Sequence, residues 1–128
     1  MITVYFNERG FRIEGSLGEV KRVYDAPESV EYDAMALYEF RWFVFNGVLD
    51  QLKDLGGPPS GEELVLYTDS RLVEELKGDV KTDSKFASAS RLYYISHDLP
   101  RFRRVRVEKC PTTTIRSKLH DSLSDSRP

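Results

Sequence analysis

A chain of 128 residues with 31% charged and 40% apolar side chains has the length for one domain and the profile of a water-soluble one. One cysteine rules out an internal disulfide, and the opening MITVYFNERG lacks the basic-then-apolar pattern of a signal peptide. No apolar run approaches the roughly 20 residues of a membrane helix, so the expectation is a reducing cytoplasm and no membrane.

The net charge of −2 conceals an asymmetry: residues 1–78 hold 8 Lys/Arg against 15 Asp/Glu, and residues 79–128 hold 11 against 6. Such a division suits a protein holding metal ions with one region and phosphates with another; the plain alternative is an uneven surface.

In chain order, Ile2–Phe6 alternates β-forming residues and reads as a strand, with Glu8-Arg9-Gly10 as a tight turn. Phe11–Leu17 and Gly18–Tyr24 read as two more short strands. Asp25-Ala26-Pro27-Glu28 is a helix-start signal, a capping carboxylate followed by proline and acid in the first turn. The helix it starts extends to about Leu55, since Met35, Tyr38, Trp42, Phe45, Leu49 and Leu52 recur at spacings of three and four and share one face. Phe40, Phe43, Val44 and Val48 widen that face, so the helix is either buried on two sides or offers a flank to a partner. Asn46-Gly47 is a candidate kink, and Gly56–Gly61 a loop.

Leu64–Thr68 has the look of a buried strand, Ser70–Lys77 of a short helix and Lys85–His97 of another. Arg101–Lys109 alternates Phe102, Val105 and Val107 with arginines, a strand with one wet face. Thr112–Thr114 cap a last helix, Ile115–Leu123. Strands close in sequence pair as antiparallel hairpins and the later ones need helical crossovers, which gives an α/β fold with a mixed sheet and helices on its faces.

The segment LVLYTDSRLVEELKGDVK, Leu64 to Lys81, resembles the ribonuclease H family (the type 1, reverse-transcriptase-like branch) in its strand ending in Asp-Ser and its helix with a Leu-Val pair and a closing glycine. The element order along the chain matches that family as well. The resemblance implies a ribonuclease H-like fold over residues 1–123, with a mixed five-stranded sheet and a polar tail at 124–128. It further implies two-metal hydrolysis of the RNA strand of RNA/DNA hybrids, with carboxylates from four chain positions holding Mg²⁺, Mn²⁺ being the alternative ion.

Residue by residue, Asp69 matches the acid at the end of the strand after the first helix; its other reading is the N-cap of Ser70–Lys77. Asp121, in HDSLS, is similar to the acid of the family's last helix, or is a solvated helix residue. VEYDAM places the helix-one acid at Glu31, whereas chain length favours Glu39. The first position departs: where the family has Asp-Gly, this chain has Asn7-Glu8, and a neutral amide oxygen cannot bridge two cations as an anion. Three readings stand for Asn7: a weakened site, a site rescued by Glu8, or an introduced Asp→Asn change. The resemblance also assigns substrate contacts to Ser70, Lys81 and Lys85, and the basic strand adds Arg101 and Arg103.

Other signals are bland. His97 and His120 lack metal-ligand spacing, Cys110 has no neighbouring histidine and reads as a packed thiol, and Trp42 as core. Three functions follow as expectations: a hybrid-cleaving endonuclease weakened at Asn7; a silent nucleic-acid-binding module; or a protein-docking scaffold, a homodimer included, using Phe40, Phe43 and Val44.

Overall fold

The computed structural model describes residues 1–15, 18–24, 34–55, 63–68 and 104–120, with backbone alone at 34–39 and 104. The elements are β1 (Ile2–Asn7), β2 (Gly10–Gly15), β3 (Val20–Val23), α1 (Ala34–Asp54), β4 (Glu63–Thr68), β5 (Arg104–Lys109) and α2 (Thr112–His120). The five strands form one sheet in the order β3-β2-β1-β4-β5. β1–β2 and β2–β3 are antiparallel, while β1–β4 and β4–β5 are parallel. This is the mixed five-stranded α/β sheet expected from the sequence.

Strand alternation sorts the core. Ile2, Val4 and Phe6 of β1, Phe11 and Ile13 of β2, and Leu64 and Leu66 of β4 face α1, where they pack on Trp42, Phe45, Val48 and Leu52. All of these are essentially removed from water, and each large side chain so buried contributes roughly 1.5–3 kcal/mol. On the opposite face Cys110, Ile115 and Leu119 pack on Tyr5 and Tyr67. Cys110 is thus the packed thiol that its sequence context suggests.

Three sequence expectations need correction. Val44 is fully buried rather than part of an exposed flank, because α1 buries an arc wider than the a/d stripe. The described helix runs unbroken through Asn46-Gly47. Gly47 serves close packing instead of a kink, since a Cβ there would run into the Tyr24 hydroxyl. The last helix begins at Thr112, not Ile115: the Pro111 carbonyl accepts from Thr114 N and Ile115 N at 3.0 and 3.2 Å, so the first turn is nucleated by Pro111 and absorbs the threonines read as caps. β5 is described from Arg104 onward. The helices read at Ser70–Lys77 and Lys85–His97, the start of the first helix at 25–33 and the tail lie outside the described residues.

Candidate nucleic-acid interface at the ends of the central strands

Sheet order alone marks one place on the molecule. From β1 the chain builds outward through β2 and β3 on one side, then returns to the other side of β1 with β4 and β5. The order reverses between β1 and β4, and open α/β sheets bind ligands outside the carboxyl ends of their parallel strands at such a point. Phe6 pairs with Thr68 at the last rung of the parallel β1–β4 ladder. One residue further along each chain come Asn7 and Asp69.

Asn7 is 2% exposed, and its Oδ1 accepts a hydrogen bond from the Arg9 backbone N–H at 2.8 Å. The side chain closes the two-residue turn Glu8-Arg9 into β2. The Arg9 carbonyl in turn accepts from Tyr24 N at 2.8 Å, and Gly10 is needed because a Cβ there would strike the Arg22 carbonyl of β3. From the helix side, Arg41 Nε donates to Glu8 Oε2 at 3.1 Å, with both side chains about four-fifths buried. The one acid of the turn is therefore held by a cation of α1. At the end of β4, the Thr68 hydroxyl is fully buried and has no hydrogen-bond partner among the described residues.

The path of α2 is fixed by a charged clamp that sequence reading missed. Arg12 lies opposite Tyr5, and Glu14 opposite Thr3, across the β1–β2 ladder. Arg12 Nη1 donates to the Lys118 carbonyl at 3.3 Å, a cation closing the carboxyl end of the helix. Glu14 Oε1 lies 2.9 Å from Arg12 Nε and 3.2 Å from Lys118 Nζ, and that ammonium sits 4.9 Å over the Tyr5 ring. Tyr5 stacks on Tyr67 with ring centroids 5.1 Å apart. Burial raises the Tyr5 pKa, and the Lys118 charge opposes the rise. The period-two spacing of Arg12 and Glu14 was visible in the sequence, but the arrival of Lys118 was not.

Where α2 begins, Cys110 N donates to the Thr68 carbonyl at 2.9 Å. The helix thus starts beside the end of β4, and toward its carboxyl end Lys118 meets Tyr5 of β1 and Arg12 and Glu14 of β2. It carries Thr112–Thr114 at the β4 end, and the chain leaves its far end toward Asp121.

Of the sequence-derived site residues, Asn7 stands at the switch point. Glu39 lies within α1, where only its backbone is described. Glu31, Asp69, Asp121, Ser70, Lys81, Lys85, Arg101 and Arg103 lie outside the described residues. Among the described residues no three His, Cys, Asp or Glu side chains are grouped to hold a metal ion. The described oxygens at this end, on Asn7, Thr68 and Thr112, are neutral, and Glu8 is neutralised by Arg41. These groups do not fit a pair of hard dications, which need anionic oxygen ligands.

The apolar flank of α1 is smaller than the sequence suggests. Phe40 packs against the core, and only Phe43, at 41%, is strongly exposed. Tyr24, Phe40 and Phe43 form an aromatic cluster with centroids 5.3 to 6.4 Å apart. Burial raises the Tyr24 pKa, with Arg22 pulling it down. No helix among the described residues is long and apolar enough to cross a membrane.

No protein-family model matches the chain and no curated protein is significantly similar to it. Solved structures are. One is RNase H1 from the halophilic archaeon Halobacterium salinarum, 16% identical with a TM-score of 0.60, the match covering 94% of this chain and 98% of that one. Another is the N-terminal RNase H domain of Rv2228c from Mycobacterium tuberculosis, solved as a fusion with maltose-binding protein. It is 18% identical with a TM-score of 0.58, and the match covers 84% of this chain and 76% of that one.

Proposed function

We propose that this chain, whose fold is ribonuclease H-like, binds nucleic acid at the ends of β1 and β4, RNA/DNA hybrids foremost, and hydrolyses the RNA strand only weakly. The observation that carries the reading is Asn7. At the switch point of the sheet it supplies a buried neutral amide whose oxygen closes the β1–β2 turn. Loss of an anion from a centre that gathers charge in the transition state lowers the rate by about tenfold or more.

A second reading, the Mg²⁺-dependent endonuclease, is favoured by the β1–β4 register, in which Phe6 and Thr68, the residues that precede Asn7 and Asp69 in the chain, pair at the last rung. Asp69 with Glu31 or Glu39 would hold Mg²⁺ or Mn²⁺, with Asp121 as the further ligand. When bound, such an ion would activate a water and stabilise the leaving oxygen. A homodimer through the α1 flank would rest on Phe43 alone of the three apolar residues named and forms no part of the proposal. The buried single thiol suits a reducing cytoplasm.

The test measures binding and cleavage of a labelled RNA/DNA hybrid together. Salt-dependent binding with slow cleavage supports the proposal; rapid cleavage abolished by Asp69→Asn selects the endonuclease, and absence of both activities refutes both. Replacing Lys81 and Lys85, or Arg101 and Arg103, by Ala should reduce the salt slope by about one unit for each phosphate that is no longer neutralised. Ser70→Ala should weaken binding with the slope unchanged.

A further inference from the structure

On the β3 side of the sheet a cleft opens between the end of β3 and the second half of α1. Arg22 and Tyr24 line one wall and Phe43, Asp50 and Asp54 the other, around a cavity of about 260 Å³. Pockets that enclose a drug-sized molecule run to roughly 300–1,000 Å³, so this one suits a single long side chain. Phe43, Gly47, Asp50 and Asp54 follow one another at spacings of four, three and four, which sets them in one row on the helix. Gly47 lacks the Cβ that would strike the Tyr24 hydroxyl, so the phenol reaches into this row. The Tyr24 and Phe43 rings meet at 73° with centroids 5.7 Å apart, an aromatic corner, and Phe43 remains 41% exposed. Arg22 donates to the Tyr24 hydroxyl and steadies it. Asp50 and Asp54 are exposed and stand one turn apart at the carboxyl end of α1. Their mutual repulsion and the helix dipole both disfavour carboxylates there. A cation arriving from outside would relieve both.

We infer that this cleft is a docking site for an arginine side chain carried by a partner protein. Charge complementarity and shape select that occupant. A guanidinium is planar, so it can stack on the exposed Phe43 ring while its N–H fork pairs with Asp50 or Asp54. Its methylene stem would lie along the aromatic corner. A lysine ammonium satisfies the charge but brings neither plane nor fork. Arginine anchored in a pocket with an aromatic rim is a common centre of a protein interface. The cleft uses neither Asn7 nor Thr68, so the inference is separate from the hybrid-binding reading.

The experiment titrates the full, isotopically labelled chain with a capped peptide of alternating glycine and arginine and with its lysine counterpart. Amide shifts caused by the arginine peptide should gather at Arg22, Tyr24, Phe43, Asp50 and Asp54, with a Kd at least about threefold below that of the lysine peptide. Asp50→Asn and Phe43→Ala should each weaken binding about fivefold or more, as anchoring contacts do. Glu19→Gln, which removes an exposed carboxylate just before β3, should change it by less than about twofold. Circular dichroism establishes that each variant is folded; should Phe43→Ala not be, the exposed Asp50→Asn carries the test. Scattered shifts, or equal losses in Asp50→Asn and Glu19→Gln, would mean general charge attraction and overturn the inference. Equal binding of the lysine peptide, or no binding of either, overturns it as well. Sedimentation of the chain alone covers the other occupant: self-association abolished by Asp50→Asn would give the cleft to a second copy and overturn the assignment to a partner.

Discussion

Arg41 on α1 and Glu8 in the β1–β2 turn lie 33 residues apart in sequence and meet at 3.1 Å. The helix thereby braces the turn that follows Asn7, and both partners are largely shielded from water. A double-mutant cycle with Glu8→Gln and Arg41→Gln should give a coupling on the order of 1 kcal/mol, above that of exposed pairs and well short of a fully buried one. Urea unfolding of the four proteins measures it.

Asn7→Asp should separate stability from activity. The carboxylate can still accept from Arg9 N–H, but a buried anion without a cation should cost on the order of 2 kcal/mol in metal-free buffer. Burial raises that carboxyl's pKa above its unfolded value, so the penalty is felt at neutral pH and fades on acidification. Mg²⁺ should recover part of the loss if Asp69 helps hold it, and cleavage should rise by about tenfold or more. Flat activity together with no metal-dependent change in melting temperature would show that this strand end has no remaining use for an acid.

Gly47 offers a test of packing that runs against helix propensity. Alanine in a helix interior is favoured over glycine by about 1 kcal/mol, yet Gly47→Ala would drive its Cβ into the Tyr24 hydroxyl. Net destabilisation is expected, and Tyr24→Phe in the same background should restore much of it by removing the obstructing oxygen. Thermal melts of the single and double variants decide the matter.

Tyr5 and Tyr24 both carry raised pKa values, chiefly through burial, against an ordinary value of 10.0. Neutral phenols are thus favoured in the folded chain, and the unfolded chain loses its phenolic protons first as pH rises. Stability from this source is fully present below about pH 10 and is lost as pH climbs through the higher folded values. Urea midpoints between pH 8 and pH 11 should fall at the alkaline end, and the fall should shrink in the Tyr5→Phe, Tyr24→Phe double variant.

The parts of this molecule that repeat with a period were legible in its sequence. Alternation in Ile2, Val4 and Phe6 fixed the buried face of β1, and the three-and-four spacing of Trp42, Phe45, Leu49 and Leu52 fixed that of α1. Val44 was assigned to a flank because a helix stripe is narrower than the arc that a sheet can bury. Thr112–Thr114 were read as caps because their hydroxyls are good ones, while Pro111 took that place through its carbonyl. The site was less legible. Asn7 was singled out as a departure from the Asp-Gly of the family that the chain resembles, but the tie from Lys118 to Glu14 spans 104 residues and depends on how α2 crosses the sheet. No local pattern encodes such a meeting.

β1 comes first in the chain and yet lies in the middle of the sheet. Its β2 edge is closed within a two-residue turn, whereas its β4 edge waits for a strand that begins at Glu63. A chain emerging from the ribosome can assemble β1, β2 and β3 early from local contacts, since loop-closure entropy is small there. Until β4 follows, one full edge of β1 stays open, and that is the interval in which strand edges recruit other chains. The hazard for this protein is one of timing: the finished sheet has no unpaired edge at β1, but the growing one does.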